Sequence, residues 1–119
     1  MPDRRDVARR APETAELRRL RRRIDVLDKR IVAMLNERAS LAREAGAAKT
    51  AAGRRAIRDA EREREVLLRV SMANAGPLPQ ADLLALYRRL FVATRALEAR
   101  DRDRLRTGRG GESDGEPRS

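Results

Sequence analysis

Between Glu13 and Lys49 the apolar side chains fall at Leu17, Leu20, Ile24, Leu27, Ile31 and Met34, then at Leu41 and Ala45. The intervals alternate three and four, which is the spacing of a helix that packs against other helices along its length. At 1.5 Å per residue a helix over 13–49 would be about 55 Å long, well beyond the diameter of a compact monomer this size. One copy of the chain therefore cannot cover the stripe, and a second copy is expected to lie alongside it. One position breaks the pattern: four residues past Met34 stands Arg38, where a leucine would fit.

Composition narrows the fold and the chemistry. The 119 residues suffice for one domain. Tyr87 and Phe91 are the only aromatic residues and 40% of the chain is charged, so the core must be aliphatic. That suits an all-α bundle and argues against a sandwich or barrel. Cysteine and histidine are both absent, which excludes disulfides, thiolate chemistry and the commonest general base and metal ligand. No metal or cofactor site is expected. No apolar run reaches membrane-spanning length and no signal-peptide core precedes residue 13, so a cytoplasmic protein with no membrane partner is the expectation.

The net charge of +10 raises the question of nucleic acid. The excess is spread evenly, acids are interleaved throughout, and there is no aromatic platform on which bases could stack. A solvated, arginine-rich surface accounts for this pattern better than nucleic-acid binding does.

Along the chain, residues 1–12 read as a disordered lead-in, 13–105 as one helical domain and 106–119 as a disordered tail of Gly, Ser and charge. Within the domain the long helix stops near Gly53 and a loop covers 50–56. A second helix spans about 58–73, with Val66, Leu67, Val70 and Ala73 apolar. Asn74-Ala-Gly-Pro-Leu-Pro79 is a break. A third helix runs from about 80 to about 104, apolar at Leu83, Leu86, Tyr87, Leu90, Phe91, Thr94 and Leu97.

The informative residues are polar ones on apolar faces. Lys49 lies eleven residues, about three turns, beyond Arg38 and points the same way about 16 Å along the axis, so the two could grip a small anion. The chain uses arginine almost throughout, Lys29 being the other lysine, which suggests that a compact ammonium is wanted at 49. A surface lysine near a helix end explains Lys49 equally well. Arg21 is about 25 Å and 100° from Arg38 on a straight helix and could serve only the partner's pocket; taken alone it is one cation in the run 18–23. Asp59 and Glu63, spaced i, i+4 with Arg62 between them, continue the face of Val66 and Val70, although a solvated salt-bridge lattice is the simpler reading. Thr94 and Glu98 are i, i+4 on the third helix, where a carboxylate is costly unless paired or protonated. Cations beside acids, with no nucleophile and attendant base, suit a small dianion whose reaction needs positioning and electrostatics.

Three stretches carry a resemblance. The first is Leu20-Arg-Arg-Arg-Ile-Asp-Val-Leu-Asp-Lys-Arg-Ile-Val-Ala-Met-Leu-Asn-Glu-Arg38 with Ala-Ser-Leu-Ala-Arg-Glu-Ala-Gly-Ala-Ala-Lys49. The second is Arg58-Asp-Ala-Glu-Arg-Glu-Arg64 and the third Tyr87-Arg-Arg-Leu-Phe-Val-Ala-Thr-Arg-Ala-Leu-Glu98. Any one alone is weak. In this order, over about residues 17–98, they resemble the all-α chorismate mutases of the short, intertwined dimeric type.

The resemblance implies an intertwined helical homodimer that converts chorismate to prephenate by a [3,3] rearrangement, without cofactor or metal. By motif position Arg38 and the partner's Arg21 bind the two carboxylates, and Lys49 donates to the ether oxygen. Asp59 and Glu63 hold the ring hydroxyl, Arg62 supports a carboxylate, and Thr94 sits where a small hydroxyl residue is common. Glu98 departs from the glutamine found in many members and could donate to the ether oxygen only when protonated. The loop over 50–58 is also slightly longer than in the family. An isochorismate pyruvate lyase or a mutase for 4-amino-4-deoxychorismate would share these features, and a basic helical module binding nucleic acid or protein is the rival from another class. A regulatory partner enzyme of the pathway is compatible with the resemblance.

Overall fold

The computed structural model describes residues 11–54 and 59–113, with side chains to residue 108. Three helices account for nearly all of this: α1 (Ala15–Ala51), α2 (Ala60–Ala73) and α3 (Gln80–Ser113). The all-α expectation holds. The lead-in at 1–10, the loop at 55–58 and the end of the tail at 114–119 lie outside the described residues.

Each boundary has a local cause. Thr14 caps α1: its Oγ1 accepts from the Leu17 N–H at 3.1 Å and its carbonyl from the Arg18 N–H at 3.1 Å. The helix therefore begins two residues later than periodicity suggests. It ends in a Schellman closure, with Arg54 N–H donating to the Lys49 carbonyl at 2.8 Å and Gly53 N–H to that of Thr50 at 3.0 Å. Gly53 supplies the required positive φ of 82°.

Asp59 is the N-cap of α2, its carboxylate accepting from the Arg62 N–H at 3.0 Å, so α2 starts at Ala60 and not near residue 58. Asn74 closes α2 and organises the break: its side chain donates to the Leu78 carbonyl and to Gln80 Oε1, and accepts from the Gly76 N–H. α3 continues to Ser113, past the expected end near Arg104. The arginines of 100–106 are good helix formers, and Asp103, a poorer one, pairs with Arg106 at i, i+3.

The chain divides into two units, residues 1–37 and 38–119. In the first unit Leu17, Leu20, Ile24, Val26, Leu27, Ile31, Val32, Met34 and Leu35 are all between 38% and 59% exposed. The apolar stripe that the sequence displays is thus uncovered in a single copy. Arg21 in this unit is exposed and ion-paired with Glu13.

The second unit contains the end of α1, all of α2 and α3, and the one buried hydrophobic residue among those described, Phe91. Tyr87 packs edge-on against it, with ring centroids 6.4 Å apart and planes at 71°. No helix among the described residues is long and apolar enough to cross a membrane.

Candidate functional site

The second unit holds an open cavity of about 420 Å³ where the end of α1, the start of α2 and the middle of α3 converge. Its apolar lining is Leu41, Ala42, Ala45, Val66 and Phe91. Its polar lining is Arg38 and Lys49 from α1, Asp59, Arg62 and Glu63 from α2, and Thr94, Arg95 and Glu98 from α3. Seven of the eight candidate residues picked out by sequence are therefore brought together. The eighth, Arg21, is not among the lining residues and belongs to the first unit.

Arg38, which breaks the α1 periodicity, turns out to line the cavity. It is half-buried, and its guanidinium carbon sits 5.7 Å from the centroids of both Tyr87 and Phe91. Two aromatic rings hold the cation in place while leaving its N–H groups available to an anion. Lys49, also half-buried, occupies the last turn of α1, where the helix carbonyls favour a positive charge.

The α2 acids are already engaged. The backbone N–H of Arg62 holds Asp59 below the usual carboxylate range. Burial opposes this, and the positive charges of Arg54, Lys49 and Arg62 reinforce it. Arg54 Nη2 lies 3.7 Å from Asp59 Oδ2. Glu63 Oε2 accepts from Arg95 Nη1 at 2.5 Å, with side chains only 17% and 27% exposed. Arg62 is more exposed and reaches Glu65 at 3.3 Å.

Glu98 behaves oppositely. Burial pushes its carboxyl up, aided by the negative charges of Asp101 and Glu63, against the pull of Lys49 and Arg95. Thr94 turns its hydroxyl back to donate to the Leu90 carbonyl at 2.9 Å, leaving its oxygen as an acceptor.

Three features lie beyond the sequence reading. Arg95 shares the α3 face of Phe91 and Glu98 at helical spacing, a signal of the same kind that singles out Arg38. Gly46 faces Glu98: a Cβ there would lie 3.2 Å from Glu98 Cγ and Cδ, so the missing side chain makes room for that carboxyl. Beside it, Arg43 makes a two-pronged bond to Asp101, at 2.9 and 2.8 Å, joining α1 to α3. A small cavity of about 60 Å³ lies among these residues and shares Lys49 and Glu98 with the larger one.

Four cations and three acids over an apolar floor can bind a small polyanion and orient it, with one carboxyl, that of Glu98, held above its ordinary pKa.

Comparison with known proteins bears on the same segment. Residues 20–99 match the family described as chorismate mutase type II. The chain is 39% identical over 87 residues to the bifunctional chorismate mutase/prephenate dehydratase of Aquifex aeolicus (strain VF5), covering 70% of this chain and 24% of that protein. It is 38% identical over 90 residues to the protein of the same description from Stutzerimonas stutzeri, covering 72% and 25%. It thus spans about a quarter of the length of the curated relatives it matches.

Among solved structures, form II of the chorismate mutase from Thermus thermophilus superposes with a TM-score of 0.67 at 32% identity, covering 71% of this chain and 96% of that one. Form I of the same enzyme gives 0.63 at 30%, covering 66% and 98%.

Proposed function

The chain belongs to the type II chorismate mutase family, and on that premise we propose that it isomerises chorismate to prephenate as a cytoplasmic homodimer. The observation that carries the reading is the convergence of Arg38, Lys49 and Glu98, all half-buried, on one cavity. Periodicity marks Arg38 and Glu98 as polar residues on apolar faces, and Lys49 shares the face of Arg38.

The reaction breaks the ether C–O bond and forms a C–C bond in one pericyclic step, with no atom gained or lost. The substrate is extended in its resting state and must fold into a chair-like geometry before the two carbon ends can meet. Cations gripping both carboxylates enforce that shape. Arg38 takes one carboxylate, its guanidinium held by Tyr87 and Phe91. Arg21 of the second copy takes the other. Asp59 and Glu63 accept from the ring hydroxyl, Arg62 supports the carboxylate end, and the Thr94 oxygen lies among them as an acceptor.

As the C–O bond lengthens, negative charge builds on the ether oxygen. Lys49 and the protonated carboxyl of Glu98 donate to that oxygen and stabilise the transition state more than the ground state.

The apolar stripe of residues 17–35, all of whose large apolar side chains are exposed, supports a second copy. In this reading the partner that buries the stripe also supplies Arg21 to the cavity.

The test is loss of chorismate absorbance on addition of the pure full chain, with prephenate identified as the product. Release of pyruvate from isochorismate without chorismate turnover would redirect the assignment to a lyase. Salt-dependent DNA retention without turnover would replace it with a binding module.

A further inference from the structure

We propose that Arg95 determines specificity, selecting a neutral hydroxyl over a cationic ammonium on the substrate ring. This inference rests on the proposed mutase reading and deepens it. From sequence, Asp59 and Glu63 could accept from either group, since both are carboxylates on one face of α2. The structure adds a cation to that face. Arg95 reaches across from α3, donates to Glu63 at 2.5 Å, and lines the same cavity.

The consequence is electrostatic. Glu63 is compensated by Arg95, and Asp59 by the Arg62 N–H at 3.0 Å with Arg54 at 3.7 Å. A ring hydroxyl arriving here donates a hydrogen bond and brings no charge, so the compensated acids serve it well. An ammonium in its place is attracted by Glu63 but repelled by the guanidinium of Arg95, so the pair offers it little net attraction. Removing such a repulsion at about 6 Å, in a cleft open enough for an effective dielectric near 40, changes a rate ratio about tenfold. Arg95 is well placed for this because it is held: its side chain is 27% exposed and bonded at its tip, so it cannot swing into solvent at little cost.

The experiment is the ratio of kcat/KM for chorismate to that for 4-amino-4-deoxychorismate, measured for the full chain and for Arg95→Val and Arg95→Lys. Folding of both variants is checked by helix content. The wild type is expected to favour chorismate at least about tenfold, Arg95→Val to shrink the ratio about tenfold, and Arg95→Lys, which keeps the charge, to hold most of it. A purely structural role for Arg95 would lower both rates together in Arg95→Val and leave the ratio unmoved. That outcome, or equal use of both compounds by the wild type, overturns the inference while the mutase reading stands. Turnover of neither compound by the wild type overturns both.

Discussion

Replacing Gly46 by alanine should separate stability from activity in opposite directions. Gly46 lies inside α1, where glycine costs the helix about 1 kcal/mol relative to alanine. The added Cβ would sit 3.2 Å from Glu98 Cγ and Cδ and 3.5 Å from Oε1, closer than carbon atoms pack comfortably. Glu98 is a flexible, half-buried side chain and can relieve the contact by swinging a few tenths of an ångström or more, so little of the helical gain need be lost. The net change in stability is then between zero and a gain of about 1 kcal/mol. Activity should fall, because the carboxyl that moves is the one proposed to donate to the ether oxygen. Misplacing such a group by about 1 Å costs up to about a hundredfold, so a shift of a few tenths of an ångström should cost less, about tenfold or under.

The assay pairs a urea denaturation curve with kcat/KM on chorismate. In a Glu98→Ala background Gly46→Ala should have no further effect on activity, since there is no carboxyl left to displace. Full activity in Gly46→Ala would refute the idea that Gly46 exists to seat Glu98. A fall in both stability and activity would point to disrupted helix packing.

Three further outcomes are expected. Activity should decline as pH rises through the elevated pKa of Glu98, because only the protonated carboxyl donates, and Glu98→Gln should flatten the profile; a flat wild-type profile would remove this role. Arg38→Ala and Lys49→Ala should each lose about 3 kcal/mol of transition-state stabilisation, on the order of a hundredfold in kcat/KM, while exposed Lys29→Ala should match the wild type. If Arg21 acts across a dimer, mixing inactive Arg21→Ala and Arg38→Ala chains after unfolding should restore about a quarter of wild-type activity, since half the dimers then carry one intact site; no recovery would place Arg21 outside the mechanism.

Much of this protein is legible in its sequence because helices report themselves locally. The three-four spacing over 13–49, the stop at Gly53, the break at 74–79 and the misfit of Arg38 each depend on residues within a turn or two of one another. What periodicity can show is that a polar side chain points the wrong way; it cannot show what the side chain meets. Arg38 is recognisably misplaced from spacing alone, but its hold on Tyr87 and Phe91 needs α1 and α3 side by side. Asp59 reads as one acid in a charged run until its backbone angles make it the cap of α2. Arg95 paired with Glu63, Arg43 with Asp101, and Gly46 against Glu98 join residues from 32 to 58 positions apart. No local pattern encodes those partnerships, because charge compensation and steric room belong to the space between helices, and only the packing of the chain creates it.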